Sequence, residues 1–167
     1  MRVLGIDPGL AITGYAVVDD VEGTPRARAY GAIRTPAKVP VAERLARIYE
    51  EMCEIVRRFT PDVMAVERLF FGRNVTTAFL VGQARGVVLL CAAHHRIPVT
   101  EYKPAEIKQA LVGYGNAAKH QVQYMVQAQL ALEEIPRPDD VADALAVAVC
   151  HIITGGFLAR LNTQGEP

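Results

Sequence analysis

Cysteine is scarce: three among 167 residues, Cys53, Cys91 and Cys150. They lie far apart, show no CxxC spacing and fall in apolar helical contexts, so they read as buried free thiols rather than disulfides or zinc ligands. No basic stretch followed by an apolar segment opens the chain, which speaks against a secretory leader. No long apolar run is unbroken either. The most apolar stretch, 75–95, is interrupted by Gln83, Arg85 and the pair His94–His95, which argues against a membrane span. Repeats and low-complexity segments are absent. These absences point to a cytoplasmic protein with one domain over residues 1–156 and a frayed tail over 157–167.

Net charge is missing as well, with 18 basic and 18 acidic residues. A neutral total looks unsuited to a polyanionic partner, but the distribution is uneven. Between residues 68 and 132 stand Arg68, Arg73, Arg85, Arg96, Lys103, Lys108 and Lys119 against only Glu101 and Glu106, a local balance of +5 offset by −5 elsewhere. A basic face beside an acidic pocket is what an enzyme that cuts phosphodiesters needs.

What the chain does have is apolar content, 51%, ample for a core. Residues 2–7 read as a buried strand broken by Pro8–Gly9. Residues 13–19 and 26–34 continue it as an antiparallel meander across a turn at 20–25. An amphipathic helix over 41–59 carries Leu45, Ile48, Met52, Ile55, Val56 and Phe59 on one stripe. A fourth strand over 62–67 follows, and the strand–helix–strand order implies parallel pairing with the first. A helix over 75–94 is apolar on nearly every side, which fits burial or a subunit interface. A short strand over 98–102 precedes helices over 104–112, 119–132 and 139–154. The fold expected is α/β, a five-stranded mixed sheet flanked by helices.

Four carboxylates stand where strands end or a helix begins. Asp7 closes Val3–Ile6, Glu67 closes Val63–Val66, and Asp140 and Asp143 share one face at the start of the last helix. Asp7 is also a normal turn residue before Pro–Gly, and Glu67 has an ion pair with Arg68 as its alternative. Asp139 suits the helix cap, which leaves Asp143 without a structural reason. Acids from separate elements form the oxygen-rich cage that Mg²⁺-type ions prefer. Two ions roughly 3.5–4 Å apart would clamp the attacking and leaving oxygens of a displacement at phosphorus. Lys119 opens a helix where the dipole disfavours a cation, which suggests a phosphate partner, with a solvated surface lysine as the alternative. Phe70 and Phe71 follow Glu67 in a loop with Gly72, Arg73 and Asn74. Exposed aromatics there suit stacking on unpaired bases. His94–His95 fits a helix C-terminus, His120 is placed equally well at phosphate or on the surface, and none has metal-ligand spacing.

The segments Gly5-Ile6-Asp7-Pro8-Gly9, Thr13-Gly14-Tyr15, Val66-Glu67-Arg68-Leu69-Phe70, Gly82-Gln83-Ala84-Arg85-Gly86-Val87 and Asp140-Val141-Ala142-Asp143-Ala144-Leu145-Ala146 resemble, in order, those of the RuvC family. The resemblance covers about the whole chain. It implies an RNase H-like fold and a homodimer that resolves four-way DNA junctions by paired symmetric nicks, leaving 5′-phosphate and 3′-hydroxyl ends. It implies Asp7, Glu67, Asp140 and Asp143 as catalytic and metal-holding acids, with Mg²⁺ (Mn²⁺ as an alternative) at two ions per site when DNA is bound. It places phosphate-holding lysines at Lys108 and Lys119 and a stacking aromatic at Phe70; in the same loop Arg73 and Asn74 are read as further DNA contacts and Phe71 as core packing. RuvA and RuvB are the partners implied. A YqgF-type nuclease shares the opening motif but is not expected to share the Glu-Arg-Leu-Phe-Phe loop. An actin-type ATPase needs two lobes, and a junction-binding protein without catalysis has no use for four acids that repel DNA.

Overall fold

The computed structural model of the chain describes residues 1–68 and 75–163. Among the described residues five strands are present, β1 (Arg2–Asp7), β2 (Ile12–Val21), β3 (Thr24–Arg34), β4 (Val63–Glu67) and β5 (Val99–Tyr102). Five helices accompany them, α1 (Val41–Phe59), α2 (Val75–His94), α3 (Pro104–Val112), α4 (Lys119–Gln129) and α5 (Asp139–Thr163). The sheet order is β3-β2-β1-β4-β5. β1 pairs antiparallel with β2 and parallel with β4, and β4 pairs parallel with β5, so the expected mixed sheet is the one observed.

The β2–β3 turn is tighter than a loop over 20–25. Glu22 and Gly23 both have positive φ, at 53° and 84°, the two-residue geometry that matches strand twist. Asp20 Oδ1 accepts the Gly23 N–H at 2.8 Å and holds that turn. α4 ends at Gln129 rather than at 132, and Ala131 turns left-handed at φ 51°. α5 runs on through Gly155–Gly156 to Thr163, past the expected end at 154.

The sheet separates two apolar clusters. On one face, Val3, Ala65, Ala16 and Val18 pack under α3, α4 and α5 through Ile107, Val122, Val126, Ala144, Leu145 and Ala148. On the other, Leu4, Ile6, Val17, Met64 and Val66 meet α1 and α2 through Ile48, Met52, Val56, Val88 and Cys91. Strand alternation decides the faces. Val3 and Gly5 look toward α5 and Leu4 and Ile6 away from it, so Asp7 returns to the α5 face. Val63 and Ala65 place Glu67 on that face by the same count.

α2 is long and apolar enough to cross a membrane over Thr77–His94, at mean hydropathy 1.3. Part of that apolarity is used in the core, where Ala84, Val88, Cys91 and Ala92 are buried, while Phe79 and Leu90 stay exposed. Its Arg85 pairs with Glu101. All three cysteines are buried, and none is in a disulfide.

Candidate metal and nucleic-acid site

Asp7 and Glu67 end neighbouring parallel strands, whose register runs to Ile6 beside Val66. α5 comes down on the same ends. A methyl group at Gly14 would collide with the Asp140 carbonyl oxygen and carbon, and one at Gly5 with the Ala144 carbonyl oxygen. Gly14 is the direct partner of Asp7 across the β1–β2 ladder. Two side-chain-free positions in adjacent strands thus let the first turns of α5 sit against the sheet, and this carries Asp140 and Asp143 to Asp7. Glycine inside a strand is the sequence signal for such close approach.

The chain leaving Asp7 is also held. Thr13, wholly buried, donates its hydroxyl to the Gly9 carbonyl at 2.7 Å. Thr35 Oγ1 donates to the Leu10 carbonyl at 2.5 Å and accepts Arg44 Nε at 2.8 Å. Thr13 belongs to the Thr13-Gly14-Tyr15 motif, whereas Thr35 did not stand out in the sequence. On the far side of Glu67, the Arg68 N–H donates to the Tyr102 carbonyl at 2.7 Å.

The electrostatics follow from this crowding. Burial, then the charges of Glu67, Asp143 and Asp140, push the Asp7 carboxyl up to about 8, against which Lys119 works weakly. Burial and then Asp143 raise Glu67, opposed by Lys119 and Lys108. Asp143 is raised by burial even though Lys119 hydrogen-bonds it. Four acids from three elements therefore hold more negative charge than the nearby lysines cancel, and all their donor atoms are oxygen. That donor set fits a hard divalent cation.

Lys119 sits on these acids, with Nζ 2.9 Å from Asp143 Oδ2 and 3.3 Å from Asp139 Oδ2. Burial works against its charge, but the bonds to Asp143 and Asp139 carry its pKa above the ordinary lysine value. Asp139 also accepts Gln123 Nε2 at 3.1 Å, so its recorded partners lie on α4 rather than at the helix start it was expected to cap. Ala118 N–H donates to Gln121 Oε1 at 2.8 Å, which fixes the turn that presents Lys119. Lys108 joins Glu67, Lys119 and Asp143 in lining a cleft of about 210 Å³. Asp140 faces a neighbouring cleft of about 420 Å³ with Leu10, Arg44 and Leu80.

Other expectations are placed elsewhere. Arg68 and Arg85 both pair with Glu101, Arg68 at 3.6 Å, so these cations are partly used within the fold. Glu67 does not take Arg68 as an ion-pair partner among the described residues; Glu101 does. His94 Nδ1 shares a 2.6 Å hydrogen bond with the Tyr49 hydroxyl, and His120 is exposed. Phe70, Phe71, Arg73 and Asn74 lie outside the described residues.

A five-stranded sheet in the order β3-β2-β1-β4-β5, with acids gathered over the ends of β1 and β4, defines the RNase H-like class of metal-dependent nucleases. The family model for "Crossover junction endodeoxyribonuclease RuvC" matches residues 3–151. The chain belongs to the RuvC family of crossover junction endodeoxyribonucleases, enzymes of DNA recombination and repair that resolve Holliday junctions. It is 60% identical over 151 residues to the RuvC of Moorella thermoacetica, covering 90% of each chain, and 56% identical over 162 residues to that of Heliobacterium modesticaldum, covering 96% of this chain and 100% of the relative. Among solved structures it is similar to Thermus thermophilus RuvC in complex with Holliday junction substrate, at TM-score 0.88 and 41% identity over 98% of this chain and 97% of that one. Yeast mitochondrial Holliday junction resolvase Ydc2 shares the fold at TM-score 0.69 and 16% identity, covering 97% of this chain and 83% of that one.

Proposed function

We propose that Asp7, Glu67, Asp140 and Asp143 are the catalytic and metal-holding carboxylates of a homodimer that cuts two strands of a four-way DNA junction symmetrically. The observation that carries this reading is the convergence of the four acids on one face of the sheet, with the Asp7 carboxyl pushed up to about 8. Burial, and after it the repulsion of Glu67, Asp143 and Asp140, raises that carboxyl, and a group carrying +2 charge would offset both. The oxygen donors suit Mg²⁺, with Mn²⁺ as an alternative, at two ions per site when DNA is bound. Bound there, such ions supply Lewis-acid stabilisation at phosphorus and an ionisable water.

Asp7, anchored on the central strand, would hold the ions together with Glu67 and the α5 pair, Asp140 and Asp143. Lys108 and Lys119 hold the DNA phosphate in the cleft they line with Glu67. Lys119 guards the acids while the cleft is empty of substrate and turns to phosphate when the carboxylates are neutralised otherwise. Phe70 stacks on bases at the junction centre, and Arg73 and Asn74 support the backbone beside it. The products carry 5′-phosphate and 3′-hydroxyl ends. The dimer face is α2, where Phe79 and Leu90 are exposed and Gly86, between them on the same stripe, faces open space in which an added methyl group would meet nothing. RuvA and RuvB are the partners proposed, and the cytoplasm is the compartment. Residues 1–156 form the nuclease domain.

The test is cleavage of a synthetic four-way junction in Mg²⁺ by wild type and Asp7→Asn, beside a linear duplex. Paired nicks in the junction alone, lost in the variant with binding retained, are expected. Equal cutting of the duplex, or cutting that survives Asp7→Asn, overturns the assignment.

A further inference from the structure

On the opposite face of the sheet from the acids, α1 and α2 bring together three soft donors. Cys53 comes from the middle of α1, Cys91 from the end of α2, and His95 from the turn just after it, where its N–H donates to the Cys91 carbonyl at 3.1 Å. One ligand atom from each lies within 4.8 Å of the others. The two sulfurs are 3.6 Å apart, close to the separation that two thiolates adopt on one tetrahedral ion at about 2.3 Å per Zn–S bond. Both cysteines are buried, and His95 is half-buried beside a surface cleft of about 450 Å³ that Tyr49, Glu50, Cys53, Glu54 and Arg57 line with it.

We infer that Cys53, Cys91 and His95 form a binding site for a soft divalent cation of the Zn²⁺ type, separate from the acid site and specific to different chemistry. The donor set of two sulfurs and one imidazole suits zinc and is poor for Mg²⁺, whereas the acids present the reverse preference. Charge favours the site: two thiolates and a neutral imidazole around a +2 ion sum to zero, which a half-buried position accommodates. Binding breaks two S–H bonds and forms two metal–sulfur bonds, and both protons leave to solvent. Three protein ligands leave the fourth position to water from the cleft. Without metal, burial and then the hydrogen bond with Cys53 push the Cys91 thiol up to about 12. The bound ion would pin the end of α2 to the middle of α1 and stiffen the helix pair beneath the sheet.

The experiment is titration of the reduced, metal-free full-length protein with Zn²⁺ and with Co²⁺, in excess Mg²⁺ so that the acids are occupied. One equivalent per chain is expected, with thiolate-to-cobalt charge-transfer absorbance and a zinc-dependent rise in Tm. His95→Gln and Cys53→Ser should each weaken Zn²⁺ binding by more than the roughly 10–100-fold that losing an outer partner costs. His95→Gln, partly exposed, should fold normally and cut junctions in Mg²⁺ at the wild-type rate. Zinc binding that both variants retain, cobalt spectra without the sulfur band, or mild oxidation that joins Cys53 to Cys91 while no zinc binds would each overturn the site.

Discussion

At the scale of single residues, the energetics turn on one carboxyl. In the metal-free protein, folding raises the pKa of Asp7 from 3.8 to about 8. The folded state therefore binds more protons than the unfolded chain between those values, so stability falls as pH rises from about 4 to 8. Thermal melts in EDTA should show that decline. Asp7→Asn removes this group's share of it and should melt several degrees above wild type at pH 8, on a scale of about 2–4 °C per kcal/mol. Mg²⁺ should raise the wild-type Tm more than that of the variant. A wild-type profile flat across this range would mean the acids do not strain the fold. Lys119 gives a second residue-scale prediction. Lys119→Gln should weaken junction binding and lower the slope of log affinity against log salt by about 1. An unchanged slope removes Lys119 from the phosphate contacts. Phe70→Ala should leave the fold intact and impair cleavage at the crossover, and full activity would refute stacking there.

At the scale of elements, the site is set by how closely α5 approaches β1 and β2. Gly14→Ala puts a methyl group into the backbone of Asp140, and the helix must lift or the strand must shift. Overpacking of this kind costs about 1–3 kcal/mol. Urea unfolding should show that loss, and junction cleavage should fall further than junction binding, because Asp140 and Asp143 move with the helix. Equal losses in binding and cleavage would mean that α5 carries DNA contacts rather than chemistry. Much of this scale was legible in the sequence. Apolar runs ending in Asp7 and Glu67 gave the strands, and strand alternation places both acids on one face. The 3.6-residue stripe of α1 and the uniform apolarity of α2 predict those helices with their observed bounds. What escaped was whatever depends on pairs distant in the chain. Lys119 meets Asp143 across 24 residues and Cys53 meets Cys91 across 38, and no local spacing announces either contact. The clamp of Thr35 on Leu10 was hidden because a threonine after a strand is unremarkable by itself. The extension of α5 escaped because Gly155–Gly156 reads as a stop, while the helix continues through it.

At the scale of the whole molecule, a junction with two-fold character calls for two active sites held in fixed relation. The exposed stripe of Phe79, Gly86 and Leu90 on α2 is the proposed seam. Leu90→Glu should convert the protein to a monomer in sedimentation, with uncoupled single nicks in place of paired cuts. A dimer that survives the substitution moves the interface elsewhere. The sheet also keeps two chemistries apart: oxygen donors beneath α5, and sulfur and imidazole donors between α1 and α2.

Among the described residues, β1 is the one strand with both neighbours drawn from the middle of the sheet order, hydrogen-bonded to β2 on one edge and β4 on the other. Its amides open only when the sheet itself comes apart. In deuterium exchange, the segment Val3–Ile6 should therefore be among the last to label, at the rate of global unfolding. Asp7, the residue proposed to face the chemistry, is thus tethered to what should be the slowest-breathing part of the chain.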